Sequence, residues 1–432
     1  MTQRSASDRG APSRNPATDD RTWRRVAPTV GVLFGVQLAM ALLPLGLGAL
    51  APFMRERYDL TRGEVGLATT AVFLSVTLFS IPMGGVADRV GVWGSLTVAA
   101  TLVALGMAGM AVAERYGVLL GVLAVGGAGY AAVTPATNKG VLAAVRYSQR
   151  GRAMGVKQMG VTASGMVAAA VLPASIVRHG WTPTLLATAA AIAILGIAGA
   201  IAYRLVTGER LARDGAAPDR PHDVARRLLA LGAVVGMLVA AQYAVATYLI
   251  LFLVDERGAQ IAAAAAALTL LHGTGTVARL GWGYLSDRLG GGRLPTIALI
   301  GATSVFGLVA LAAVGDSLPW PALLVLVAFL GVSTQGGNAV YQTALAEEDE
   351  ARAGRASGIG MTLGFAGAIV MPPAFGATVD ATGSYAVPFV AVALGVGAAS
   401  IGALRLARRS TGAGPMRPGA LEGEAPPASP AG

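Results

Sequence analysis

The chain has 432 residues, 54% of them hydrophobic and only 13% charged, with a mean hydropathy of +0.62, where a soluble chain carries about 25% charge. The deficit runs along the whole length, which excludes a soluble domain on a single anchor, and the absence of cysteine excludes disulfides and thiolate metal sites. The net charge of +10 reads as basic loops on one membrane face rather than as affinity for nucleic acid.

Residues 1–27 are polar and Arg-rich, and they lead into an apolar run too long for a cleavable signal peptide. That run reads as a spanning helix. Crossing the hydrocarbon core takes about 20 apolar residues, and the apolar runs predict helices at 28–52, 64–87, 92–113, 118–144, 153–177 and 184–206. The polar stretch 207–226 carries Arg210, Arg213, Arg220 and Arg226 and reads as a cytoplasmic linker. A second set follows at 227–254, 260–285, 295–314, 320–345, 355–379 and 386–407. Residues 408–432, rich in Pro, Gly and Ala, read as a disordered cytoplasmic tail. The 59 glycines follow no collagen period and sit inside apolar runs, where small residues let helices approach closely. Ten-residue alternation of the kind a β-barrel needs is absent. The fold class is an all-α membrane protein with twelve transmembrane helices.

Orientation follows from Lys and Arg. Of the 33, the face shared by both tails takes 24, the opposite face takes six (Arg55, Arg57, Arg62, Arg115, Arg178 and Arg257), and Lys139, Lys157 and Arg279 remain inside helices. The split places both termini in the cytoplasm and the chain, multi-pass, in the inner (plasma) membrane.

The two sets repeat. Gly84-Gly85-Val86-Ala87-Asp88-Arg89-Val90-Gly91 recurs as Gly283-Tyr284-Leu285-Ser286-Asp287-Arg288-Leu289-Gly290. Gly151-Arg152-Ala153 recurs as Gly354-Arg355-Ala356, and Asn138 as Asn338. Gly160, Ser164 and Ala168 answer to Gly360, Gly364 and Ala368. Two parallel halves related about the membrane normal describe a large class of secondary transporters.

The motif G-x-x-x-D-R-x-G between the second and third helices, echoed between the eighth and ninth, resembles the signature loop of the major facilitator superfamily. The chain departs from it in having Val92-Trp93 where two basic residues usually follow, and the second copy keeps only Arg293. The resemblance covers about residues 26 to 407 and implies two pseudo-symmetric six-helix bundles, the major facilitator fold, working by rocker-switch alternating access. It also implies a gating role for Gly84, Asp88, Arg89 and Gly91, with Asp88 meeting the start of the eleventh helix near Gly354 and Arg355. By pseudo-symmetry, Asp287 and Arg288 would face Gly151 and Arg152. A carboxylate at a helix end can pair with Arg or with a helix N-terminus, an effect of about 0.3–2 kcal/mol; the plain alternative is a solvated turn.

Polar groups inside the membrane are costly and usually face a cavity. The only two lysines, Lys139 and Lys157, stand against 31 arginines, and both fall within predicted helices. Either could instead snorkel to the interface. Arg279 resembles the eighth-helix Arg of monocarboxylate and oxalate transporters, which pairs with the substrate carboxylate; the bland reading is an interhelical contact. In that pattern an Asp stands one turn earlier, where this chain has Gly275, so that coupling does not carry over. Every Asp and Glu falls in a tail, a loop or a helix end. The interior therefore reads net positive and favours a small organic or inorganic anion. His272 is a candidate proton carrier or a packing histidine. Gln37, Asn138, Gln158, Gln242, Tyr243, Asn338 and Gln342 are further candidates for substrate contact.

The expectation is a secondary active transporter of an organic anion, monomeric, non-enzymatic and without cofactor or metal, with a proton as one possible coupling ion. Gly273-Thr274-Gly275 and Gly358-Ile359-Gly360 lie inside apolar helices, so nucleotide binding is rejected. The alternatives are an efflux antiporter for drugs or apolar compounds and, from another class, a non-transporting membrane receptor. Efflux antiporters commonly carry a buried carboxylate and a Gly-Pro pair in the fifth helix; this chain has Gly160 and Gly165 there without the proline.

Overall fold

A computed structural model describes residues 16–145, 150–208, 226–288, 293–315, 317–347 and 353–412. Backbone groups in lipid must bond within their own segment, which leaves the helix as the economical choice for long apolar runs. Among the described residues twelve helices can cross a bilayer: α1 (Val26–Tyr58), α2 (Arg62–Ser80), α3 (Arg89–Val112), α4 (Tyr116–Ala144), α5 (Ala153–His179), α6 (Trp181–Thr207), α7 (Arg226–Asp255), α8 (Ile261–Arg288), α9 (Arg293–Val314), α10 (Trp320–Leu345), α11 (Thr362–Thr382) and α12 (Ala386–Arg408). These form two six-helix bundles, α1–α6 and α7–α12. The chain is a multi-pass membrane protein. An even number of spans puts both ends on one side, here the tail face; α1 ends and α2 begins on the far face. Large apolar side chains such as Leu78, Ile194, Phe306 and Leu394 stand exposed on the outside, as lipid contact requires.

Two elements differ from the expected helices. The repeated Gly84–Gly91 segment is helical rather than a loop: Arg62–Val112 runs continuously except at Gly91, with φ 74° and ψ −177°. That conformation is open essentially to glycine alone, so a single residue turns α2 into α3. The second difference lies in α10. Its helix stops at Leu330, Gly331–Gln335 form one π-helical turn, and the helix resumes at Asn338. Gly331 fits directly against the Leu271 backbone and the Thr274 hydroxyl of α8, where no side chain has room.

The halves meet most closely between α2 and α11. Gly66 packs against the backbone of Pro372 and Pro373, and Gly63 against Ala377. Pro373 lacks the N–H that would bond the Ile369 carbonyl in a regular helix. The Thr70 hydroxyl of α2 donates to that carbonyl instead, at 2.6 Å. A helix defect in one half is thus repaired by a side chain of the other. On the α1–α7 seam, Gly48 lies directly against the Ala246 carbonyl.

Gly91→Ala is expected to destabilise the folded protein by about 1–3 kcal/mol, since alanine at that φ/ψ is strained. Gly84→Ala, at a helical glycine with open space around it, is expected to be neutral or slightly stabilising. Thermal unfolding of the two variants in detergent checks the contrast.

Candidate functional site

Among the described residues the buried basic groups are Lys157, His272 and Arg279, and no Asp or Glu joins them. Lys157 on α5 is 0% exposed and Arg279 on α8 is 2% exposed. Lys157 does not snorkel. Its ammonium donates to Asn138 Oδ1 at 2.5 Å and to Thr137 Oγ1 at 3.2 Å, both on α4. Thr137 lies in turn 3.4 Å from Gln37 Oε1 on α1. Lys139 is half-buried and donates to the Ala87 carbonyl at 3.3 Å, beside the α2–α3 connection.

Arg279 joins the halves. Its Nη1 donates to the Gln158 carbonyl of α5 at 2.8 Å, and its Nε to the Gln335 carbonyl of α10 at 3.3 Å. Its Nη2 is buried without a partner. The π turn explains why α10 can receive it: irregular winding frees carbonyls, and α8 fills two of them. Trp282 Nε1 donates to the Val332 carbonyl at 2.8 Å, one turn from the Arg279 contact. Tyr130, Tyr243 and Tyr341 lie within electrostatic reach of the guanidinium. None supplies a negative charge at neutral pH, so both cations are held by neutral dipoles only.

Gly275 has a steric reason for being glycine. A Cβ there would run into the Gln335 side chain and the Gly331 carbonyl, so no carboxylate fits one turn before Arg279. Gln335, which the sequence reading missed, occupies that space. Its amide nitrogen donates to the Gln242 carbonyl at 3.1 Å. Gln37, Gln158, Gln242 and Tyr243 are buried. Asn338 and Gln342 follow the π turn, half-buried, with Gln342 Nε2 3.4 Å from Asn338 Oδ1. His272 is fully buried, its ring against Gly165 of α5, and neither ring nitrogen has a partner. No described carboxylate stands beside it to exchange a proton.

Of the gating candidates, the side chains of Asp88, Arg152 and Arg355 lie outside the described residues, as does Gly290. Gly84 lies in the helical part of the motif and Gly91 forms its turn. Arg89 is exposed. Asp287 pairs with Arg293, which also donates to Glu347 at 3.1 Å and Ser286 at 3.2 Å. Arg288 lies over the Tyr284 ring.

A cluster of ion pairs joins the halves on the far face. Arg62 at the start of α2 donates to Asp255 of α7 at 2.7 Å and reaches Asp380 of α11 at 3.4 Å. Arg55 of α1 joins Asp255 at 3.0 Å. Tyr385 donates to the same carboxylate at 2.7 Å and accepts from Arg62 Nε at 3.0 Å. Burial, and then the bond to Asp255, push the Tyr385 hydroxyl above its ordinary pKa, which keeps it a donor. Asp380 accepts from the Gly63 and Arg62 backbone N–H groups at 2.8 and 3.2 Å. A carboxylate thereby meets the positive end of α2. The start of α2 is also closed by its own capping box, Thr61 with Glu64. These pairs join residues 193 and 318 positions apart, and no local pattern could have announced them.

The profile of the Major Facilitator Superfamily matches residues 29–372. No curated protein matches the sequence. Among solved structures, the fold is similar to a bacterial homologue of the human lysosomal transporter Spinster. In its inward-facing, unoccupied form the TM-score is 0.67 at 15% identity, over 89% of this chain and 97% of that one. In its inward-facing, occupied form the TM-score is 0.66 at 15% identity, over 87% and 96%.

Because the chain has no native cysteine, a single introduced thiol reports cleanly on this far-face clasp of ion pairs. Ala246→Cys, buried beside Gly48, is expected to react slowly with a water-soluble maleimide in detergent. Adding Asp255→Asn, which weakens every pair made to that carboxylate, is expected to raise the labelling rate several-fold. An unchanged rate means that the clasp does not hold this face shut.

Proposed function

The chain belongs to the major facilitator superfamily and is a membrane transporter of small solutes, and we propose that its solute is a small organic anion, carried by alternating access. The observation that carries the proposal is the interior charge: Lys157 from one half and Arg279 from the other, both buried, with no carboxylate among the buried described residues. Each buried ion bears a desolvation cost of several kcal/mol. An anion between the halves offsets that cost for both, and it does so only when the two bundles come together around it. The free Nη2 can donate to one carboxylate oxygen, and release of the Gln158 carbonyl from Nη1 would complete the two-nitrogen fork that binds a carboxylate bidentately.

The far-face clasp and the α2–α11 contact support reading this conformation as closed on the far side. With the arginine-rich tail face in the cytoplasm, the state is inward-facing, as in the solved Spinster homologue. Solute entering from that side would compete with the Gln158 carbonyl for Arg279. Rocking of the bundles would then break the Arg62 contacts and expose the site to the far face. An exporter of cationic drugs would need an interior carboxylate, and none is buried among the described residues.

In proteoliposomes, Arg279→Ala and Lys157→Ala are each expected to reduce organic-anion transport about 30-fold or more, from the 2–5 kcal/mol typical when a buried, hydrogen-bonded charge loses its partner. Insertion and monodispersity should persist. Wild-type transport rates in both variants would remove the anion reading.

A further inference from the structure

We propose that the transported anion also carries a hydroxyl that donates a hydrogen bond, so that the substrate class is a hydroxycarboxylate rather than a plain carboxylate or an amino acid. The inference rests on the anion reading and refines it. Its basis is the set of buried polar atoms that the fold leaves unpartnered around Arg279. These are Arg279 Nη2, both ring nitrogens of His272, Gln335 Oε1 and Gln242 Oε1, with Ser164 Oγ unpartnered on the adjoining turn of α5. His272 and Arg279 share a face of α8 two turns apart, and Gln335 packs over Gly275 between them. His272 lies against Gly165, next to Ser164 on α5.

The chemistry of the unpartnered atoms is mixed. Arg279 Nη2 can only donate and takes the anion. Gln335 Oε1 can only accept. Its identity as oxygen is fixed by the other end of the amide, which faces the Gln242 carbonyl at 3.1 Å, and a carbonyl accepts only. A neutral imidazole also offers one acceptor nitrogen. A plain carboxylate brings no donor and leaves these acceptors desolvated and unpaired, at a cost comparable to a lost hydrogen bond. An ammonium would supply the donor but would place a second positive charge beside Arg279. A hydroxyl supplies it without charge.

The test compares two series in which one carbon bears hydrogen, hydroxyl or ammonium: propionate, lactate and alanine, and succinate, malate and aspartate. Binding to the purified full chain is read by thermal shift, and transport by competition in proteoliposomes. In at least one series the hydroxy acid is expected to bind about tenfold or more tightly than both analogues, one unpaired buried group being enough for that ratio. Gln335→Leu is expected to bring the ratio of hydroxylated to plain acid close to one. Equal binding of plain and hydroxylated acids overturns the hydroxyl assignment and leaves the anion reading standing. A ratio that survives Gln335→Leu overturns the role given to Gln335. If no acid in either series binds, the anion reading falls, and this inference with it.

Discussion

Two basic side chains in the interior of a membrane protein, Lys157 and Arg279, with no buried carboxylate among the described residues, form the constraint on which the rest of the architecture turns. Neither cation is idle in the observed state. Lys157 rests on the Asn138 amide oxygen and the Thr137 hydroxyl, and Arg279 on two main-chain carbonyls. Neutral dipoles of this kind soften the desolvation cost without cancelling it. On the proposed reading, an anion entering the site would offset the cost that remains, and with one basic group on each bundle that gain would depend on the approach of the two halves.

The contacts between bundles are graded along the membrane normal. On the far face they are ionic and shared: the Asp255 carboxylate takes Arg55, Arg62 and Tyr385 at once. An isolated exposed pair contributes about 0–1 kcal/mol, and it is the sharing that makes the arrangement cooperative. Below it, glycine and proline positions let α2 and α11 touch backbone to backbone, with Thr70 bonding a carbonyl that Pro373 leaves free. Deeper still, Arg279 bonds the Gln158 carbonyl across the bundles; on the proposed reading, a carboxylate would compete with that carbonyl for the guanidinium and so link the state of the bundles to the occupancy of the site.

Much of this was legible in the sequence, for identifiable reasons. Twelve apolar runs give twelve helices because lipid leaves the backbone few alternatives. Lys157 and Arg279 stood out because charge inside an apolar run is expensive and so rarely accidental. Gly275, noted only as a departure from a known pattern, proved to be a steric necessity. Other features were hidden. The π turn of Gly331–Gln335 depends on how α8 packs against α10, so Gln335, three residues before Asn338, was not singled out. The repeated motif read as a loop because glycine and a charged pair usually mark one; only Gly91 breaks the helix. The far-face clasp joins helix ends from different thirds of the chain and leaves no periodic trace.

The most direct test of an interior built to receive an anion is a structure determined with a bromine-labelled carboxylate, the bromine being located by its anomalous scattering. The account predicts one ordered carboxylate between the bundles, within hydrogen-bonding distance of Arg279 Nη2 and with Lys157 turned towards it. Bromine signal confined to the protein surface, with Arg279 still bonded to the Gln158 carbonyl at saturating ligand, would contradict it.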